Sequence, residues 1–393
     1  MPATDPSSRP AGTFRTGGVI ALSACHFIHD VYSSFLAPLL PLIIDKLSLS
    51  LTQAGFLTTV MQIPSLANPF IGSLADRVSV RYFVILAPAT TAIPMSLIGV
   101  APTYGVLLLL LLVTGISVAL FHVPAPTMVA RLSGDRMGRG MSFYMTGGEL
   151  ARAVGPVIAV GAVSLMGLEG FYPVMTVGVL ASVWLFFRFH DPSHRISIAQ
   201  RRSLAQTVTA VRPVMLPLVG ILFARGFMHA AMTAFLPTFI RQETGNLWLA
   251  GAGLTLMEAA GVAGVLAAGH FSDRWGRRRV LSIALMGAPV GLLLFVLIGG
   301  PVRYLMLILT GFTLLSTTPV MLALVQEHAP ESPSAANGLF MMASFMARSA
   351  VVVLVGMLGD AIGLRSTYLI CALIGTLGIP LIRVIPARPK AQS

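Results

Sequence analysis

The sequence predicts an all-α integral membrane protein of twelve transmembrane helices, arranged as two pseudo-symmetric halves of six. Three observations lead there. Hydrophobic residues make up 55% of the 393 positions, charged ones only 10%, and mean hydropathy is +0.85, which is too apolar for a single water-soluble core. Twelve apolar windows, each near the length of about 20 residues that crosses a bilayer core, can be marked along the chain. A polar decapeptide after the second window, GSLADRVSVR (Gly72 to Arg81), aligns without gaps with GHFSDRWGRR (Gly269 to Arg278) after the eighth, 197 residues further on.

The elements follow in order. Residues 1–17, rich in Pro, Ser and Gly, form a polar tail, and the apolar run behind them is too long for a cleavable signal, so it is retained as the first span. The windows are 18–44, 52–74, 82–100, 104–130, 141–166 and 171–188, then 213–240, 248–271, 280–299, 302–327, 336–360 and 365–385. The longest polar interruption, residues 190–212, reads as a linker between an N-terminal half (18–189) and a C-terminal half (213–385), with 386–393 as a closing tail. A second repeat supports the division: Arg152, Gly167 and Leu168 recur as Arg348, Gly363 and Leu364, at an offset of 196. Homologous halves joined by a basic linker are transporter architecture.

The formal net charge of +12 would suit a nucleic-acid ligand, but the basic residues sort by side. With the N-terminus inside, the alternate segments that would be cytoplasmic hold Arg9, Arg15, Arg77, Arg81, Arg131, Arg136, Arg139, the linker arginines, Arg274, Arg277, Arg278, Arg279 and the C-terminal cluster. Only Lys46, Arg241, Arg303 and Arg365 fall outside. This is the positive-inside pattern, with both termini cytoplasmic, and no nucleic-acid partner is expected. Cys25 and Cys371 both lie within spans as small soft hydrophobes. GDRMGRG, Gly134 to Gly140, lacks the Gly-Lys-Ser/Thr ending of a phosphate loop. No nucleophile constellation stands out, so neither an ATPase nor an enzyme is expected, and no cofactor.

The informative residues are the charges inside the spans: His26, His29 and Asp30 in the first, His122 in the fourth, Glu149 and Arg152 in the fifth, Arg225 and His229 in the seventh, Glu258 in the eighth and Arg348 in the eleventh. Each ionised group costs at least about 2.5–3.5 kcal/mol at mid-bilayer unless it is paired or wet. Glu149 and Arg152, three residues apart, share a helical face and can pair, as either a structural or a functional couple. Gly147, Gly148, Gly155 and Pro156 thin and bend the same helix, with Gly155 and Pro156 as a possible hinge. His26 and Asp30, four apart, form a couple suited to carrying a proton. The proton-coupling candidates are therefore Asp30, Glu149, His26 and Glu258. The solute-binding candidates are Arg152, Arg225, Arg348, His122 and His229, although the two histidines also suit plain helix packing. A metal site from His26, His29 and Asp30 lacks a further ligand nearby in the sequence, and none is expected.

The repeated decapeptides resemble the signature of the major facilitator superfamily, with Ser79 where the family usually has Gly. The fifth span, Gly147 to Pro156, is similar to that family's antiporter motif, with Ala151 in place of its middle Gly. Leu111 stands where the fourth span of the drug-antiporter pattern carries Arg. HFIHD (His26 to Asp30) with FHVPAP (Phe121 to Pro126) is similar to the fosmidomycin-resistance branch. The resemblance implies a monomeric, multi-pass secondary transporter of the bacterial cytoplasmic membrane. In such a fold spans three, six, nine and twelve, which contribute no charges here, lie outside a central cavity. It implies proton-coupled export of a small organic solute, fosmidomycin-like and anionic, by alternating access; import of a small organic anion, and export of a siderophore or an arsenical, are the other readings. It also implies a cytoplasmic latch from Gly72, Asp76, Arg77, Arg81, Gly269, Asp273, Arg274, Gly276 and Arg277. Asp76 would face the region Ser334 to Asn337, and Asp273 the region Gly138 to Met141.

Overall fold

A computed structural model of the chain describes residues 14–68, 70–71, 81–188, 204–329 and 333–386. Among these the secondary structure is helical throughout, and nine helical stretches are long and apolar enough to cross a membrane. The stretch from Ala336 to Val384 holds both the eleventh and twelfth spans. The sixth, Met175–Arg188, is shorter, and the second is described as a helix over Leu51–Gln62 with a further turn at Ile63–Ala67.

Helix starts follow local chemistry. Ser50 and Gln53 form a reciprocal capping box at the start of the second span, at 3.1 and 2.9 Å. Thr103 caps the fourth, and Asn246 caps the eighth through Leu249 N–H at 3.0 Å. Each cap satisfies donors that the first helical turn leaves without partners.

The internal repeat extends to the defects in the helices. The first span is two helices, Thr16–Ser33 and Leu36–Leu47, broken at Ser34 and Phe35. Pro38 accounts for the break, since it offers no N–H to the Ser34 carbonyl four residues back and its ring crowds that oxygen. The seventh span runs over Leu204–Ala230, then a π turn at Ala231–Phe235, then Leu236–Thr244. Pro237 stands in the same relation to Thr233, and the wider π turn absorbs the clash. Ser34 and Ala231 are separated by the same 197 residues as the decapeptides. Likewise the fifth span, Met137–Met166, ends at Gly167 (φ 75°, ψ 162°), and its repeat Gly363 (φ 77°, ψ 155°) divides the eleventh span from the twelfth. That conformation belongs almost only to glycine.

Two boundaries differ from expectation. The fourth span stops at His122 and restarts as Ala125–Ser133, where continuous helix to residue 130 was expected; Pro126 cannot donate to the His122 carbonyl. Leu204 to Arg212, assigned by sequence to the linker, are the first turns of the seventh-span helix. The remaining spans, Arg81–Leu97, Leu247–Trp275, Arg277–Leu297 and Arg303–Glu327, agree with their windows to within several residues.

The halves meet chiefly through two pseudo-symmetric pairs of spans, the second with the eleventh and the fifth with the eighth, with a smaller contact between the first and the seventh. In the first pair the backbones approach closely: a Cβ at Gly55 would collide with the Val352 carbonyl, and one at Gly356 with that of Leu51. Thr59 Oγ1 donates to Ser349 O at 2.8 Å. Asp360, at the end of the eleventh span, accepts from Leu51 N–H (2.7 Å), Thr52 N–H (2.9 Å) and Thr52 Oγ1 (2.5 Å). It thus caps the second helix from the opposite half. Arg241 and Asp45 add an ion pair at 2.7 Å. These contacts lie at mid-span and at the end that the positive-inside reading makes the outer one.

All four basic residues on that end have a carboxylate partner, three carboxylates serving the four. Lys46 pairs with Glu169 (2.7 Å), Arg241 with Asp45, and Arg303 and Arg365 share Glu243 (2.6 and 2.9 Å). Arg303 also lies over the Phe295 ring, 4.5 Å from its centroid.

Candidate functional site

Two polar clusters and a pair of arginines occupy the interior. The first cluster is centred on Asp30, which is buried with His26 and His29. His29 Nδ1 lies 2.8 Å from Asp30 Oδ1, His122 Nε2 lies 3.2 Å from the same oxygen, and His26 Nε2 lies 3.2 Å from Oδ2. The sequence placed His26 and Asp30 together. It gave no sign that His122, at the proline break of the fourth span, would join them.

The protonation pattern of His26 follows from its partners. Its Nδ1 lies 2.8 Å from the carbonyl oxygen of Tyr144, which can only accept, so Nδ1 carries a hydrogen. In a neutral ring Nε2 is then a bare lone pair facing an Asp30 oxygen, and that contact is attractive only with a proton, on the ring or on the carboxyl, or a metal ion between them. Aromatic packing fixes the rings: His26 stacks on Tyr144 (4.1 Å between centroids) and His29 on Phe121 (4.4 Å). Gly148 makes the approach possible, because a Cβ there would strike the His26 ring; Gly147 and Gly155 similarly admit the Ser23 carbonyl and the Ser34 side chain.

The second cluster lies on the next residue of the fifth span. Glu149 accepts a hydrogen bond from Arg152 one turn on, as their spacing predicts. Arg152 Nε also lies 4.0 Å from Glu258 Oε2 in the eighth span, so this network crosses between the halves. Both carboxylates are largely buried, whereas the Arg152 side chain is 44% exposed. Pro156 deprives the Arg152 carbonyl of its helical donor but leaves the helix continuous.

The arginines of the C-terminal half are differently placed. Arg225 is buried; its Nη2 makes only a long contact, 3.5 Å, to the Leu314 carbonyl, and its Nε has no partner. Arg348 lies over the Phe345 ring at 4.7 Å, and its Nε is also buried without a partner. Among the described residues no carboxylate pairs with either. Arg348 is within electrostatic reach of both Arg225 and Arg152, and His229, which meets Thr233 at 3.3 Å, is within reach of all three.

Of the latch residues, Gly72, Asp76 and Arg77 lie outside the described residues. Arg81 donates to the Phe186 carbonyl at 3.3 Å. Asp273 pairs with Arg277 at 2.7 Å, and Arg277 with Glu327 at 3.2 Å, all within one half. Gly276 (φ 88°) ends the eighth span and opens the ninth, next to Arg274 at the last turn. Sequence reasoning misses Asp360, Asp45 and Glu243, because acids at helix ends are indistinguishable from solvated loop residues by spacing alone.

Two repeated helical bundles enclosing buried and partly exposed charges define a membrane transport protein. The chain belongs to the Major Facilitator Superfamily, whose sequence profile matches residues 22–352 and, in a second match, 249–393. It is 25% identical to the fosmidomycin resistance protein of Escherichia coli K12 over 368 residues, 91% of this chain and 90% of that protein. It is 26% identical to YfnC of Bacillus subtilis 168, an uncharacterised transporter of the same type, over 95% and 94% of the two chains. In fold it resembles the inward-facing, unoccupied crystal structure of a bacterial homologue of the human lysosomal transporter Spinster, with a TM-score of 0.84 at 14% identity, covering 98% of this chain and all of that one.

Proposed function

We propose that the protein is a proton-coupled antiporter of the bacterial cytoplasmic membrane. It exports a small organic anion that also carries a hydrogen-bond donor, a fosmidomycin-like solute. The observation behind this reading is the charge layout at mid-membrane: Arg152 joined to Glu258 across the halves, beside Arg225 and Arg348 with no acid of their own among the described residues. Unpaired guanidiniums suit an anionic end, and Glu258 suits a donor end.

Antiport requires proton and solute to exclude one another, and Glu258 supplies the exclusion. As a carboxylate it accepts from the solute; once protonated it holds the proton instead. Glu258 also meets its Arg152 partner across the interface, so rocking of the halves alters its surroundings, with each ligand favouring one cavity state. Asp30 is the weaker coupling candidate, because its three imidazole partners all belong to its own half. Contacts between halves at the outer end, with Asp273 paired to Arg277 of its own half, suit a state open to the cytoplasm. The latch would form on the opposite stroke, with Gly155 and Pro156 as a hinge. The E. coli relative's name supports the direction of transport.

One observation favours a second reading, uptake of an anion with a proton. Arg152 is bonded to Glu149 and lies 4.0 Å from Glu258, and an anion binding at Arg152 itself would bind better once these carboxylates are protonated. Flux of fosmidomycin in proteoliposomes separates the two. Export requires solute to move against an imposed proton gradient; movement in the same direction as protons selects the second reading, and binding without gradient-dependent flux overturns both.

A further inference from the structure

The Asp30 cluster contains more than a coupling site requires. We propose that His26, Asp30 and His122 form a binding site for a divalent transition-metal ion of the zinc class, entered from the side of His122. Their three ligand atoms lie within 4.8 Å of one another. To share one ion with metal–ligand bonds of about 2.0–2.2 Å, the three atoms must draw to about 3.5 Å from one another, a movement for the His122 side chain, the least buried of the three. Two imidazoles and one carboxylate suit zinc, cobalt or nickel rather than calcium or magnesium.

The surrounding atoms favour this over a chance cluster. A ligating histidine usually donates its other ring N–H to a carbonyl or carboxylate, which aims the free nitrogen at the metal. His26 does this through Tyr144 O, so its Nε2 lone pair points at Asp30. Ligating carboxylates are themselves hydrogen-bonded, and His29 Nδ1 supplies that bond to Asp30 Oδ1 from a fully buried position. His29 is thus a positioning residue, its Nε2 left without a partner. The side chains of His26 and Asp30 are 5% and 6% exposed and that of His122 36%, so an ion would keep an open coordination position on the His122 side. His122 supplies the third ligand that the sequence spacing lacked.

The test uses the full-length transporter in detergent, with any purification tag removed and metal stripped by a chelator. Titration with Co²⁺, followed by its visible ligand-field absorption, and with Zn²⁺, by calorimetry, should give one saturable ion per chain. His26→Gln and His122→Gln should each weaken Zn²⁺ binding at least about tenfold and shift the Co²⁺ spectrum. His29→Gln should weaken it by a similar or smaller factor, as for other residues behind a ligand. The double variant His270→Gln with His328→Gln, remote from the cluster, should leave binding unchanged. The proposal fails if the folded wild type shows no saturable binding, or if equally tight binding persists in His122→Gln. His122 is the most exposed of the three ligands, and monodispersity on size exclusion verifies that its variant is folded.

Discussion

The two halves share a backbone plan and load it with opposite chemistry. The helix break at Ser34 has its counterpart in the π turn at Ala231, and the glycine stop at Gly167 has its counterpart at Gly363. Yet in the N-terminal half a single carboxylate, Asp30, gathers three imidazoles, while in the C-terminal half Arg225 and Arg348 lie without any acid of the described residues to neutralise them. Duplication therefore accounts for where the chain bends but not for what it binds. On the proposed reading, the N-terminal half supplies the cation site and the C-terminal half the anion site, with the Arg152–Glu258 contact joining the halves.

That contrast can be broken experimentally, and the largest effect is expected at the contact that joins the halves. Glu258→Gln should reduce pH-driven flux in proteoliposomes at least about 100-fold while retaining solute binding, since the amide preserves shape and cannot exchange a proton. Normal gradient dependence would move coupling to Glu149 or Asp30. Next comes the anion side: Arg225→Met and Arg348→Met should each weaken fosmidomycin binding about 10- to 100-fold, the equivalent of about 1.5–3 kcal/mol for a hydrogen bond to a charged group. Unchanged affinity in both would remove the C-terminal half from the site.

Smaller still is the outer clasp. Asp360→Ala removes the cap on the second span, a loss of about 0.5–2 kcal/mol, and should move the population toward outward-open states by a few-fold up to about 30-fold. Spin-label distances between the outer ends of the second and eleventh spans measure this directly, and no change would reduce Asp360 to a local cap. The smallest effect is expected at Lys46 and Glu169. Lys46 holds the exposed Glu169 carboxyl below its usual range. Its contribution is therefore present at neutral pH and lost as pH falls through the lowered value. Glu169→Gln should leave both the melting temperature and the flux within error at pH 7.

Much of this was legible in the sequence. The windows, the offsets of 196 and 197 residues and the Glu149–Arg152 pair depend on spacing along one helix, and spacing is what a sequence states. The capture of Asp30 by His122, the cap that Asp360 places on Leu51 and Thr52, and the reach from Arg152 to Glu258 depend on how helices cross, which no local period encodes. The proline effects fall between the two. Pro38, Pro126 and Pro237 were visible as residues, but whether each gave a break, a restart or a π turn was settled by the packing around it.

Gly148 carries a consequence for what variation the protein can tolerate. This one position abuts the His26 ring, and its chain neighbour is Glu149, the carboxylate that holds Arg152. Any side chain at 148 would press on the first span and tilt the fifth, disturbing both clusters at once. A drifting lineage could retune either pocket residue by residue, but not through this wall. Selection for a new cargo should therefore leave residue 148 fixed while Arg225 and Arg348 change.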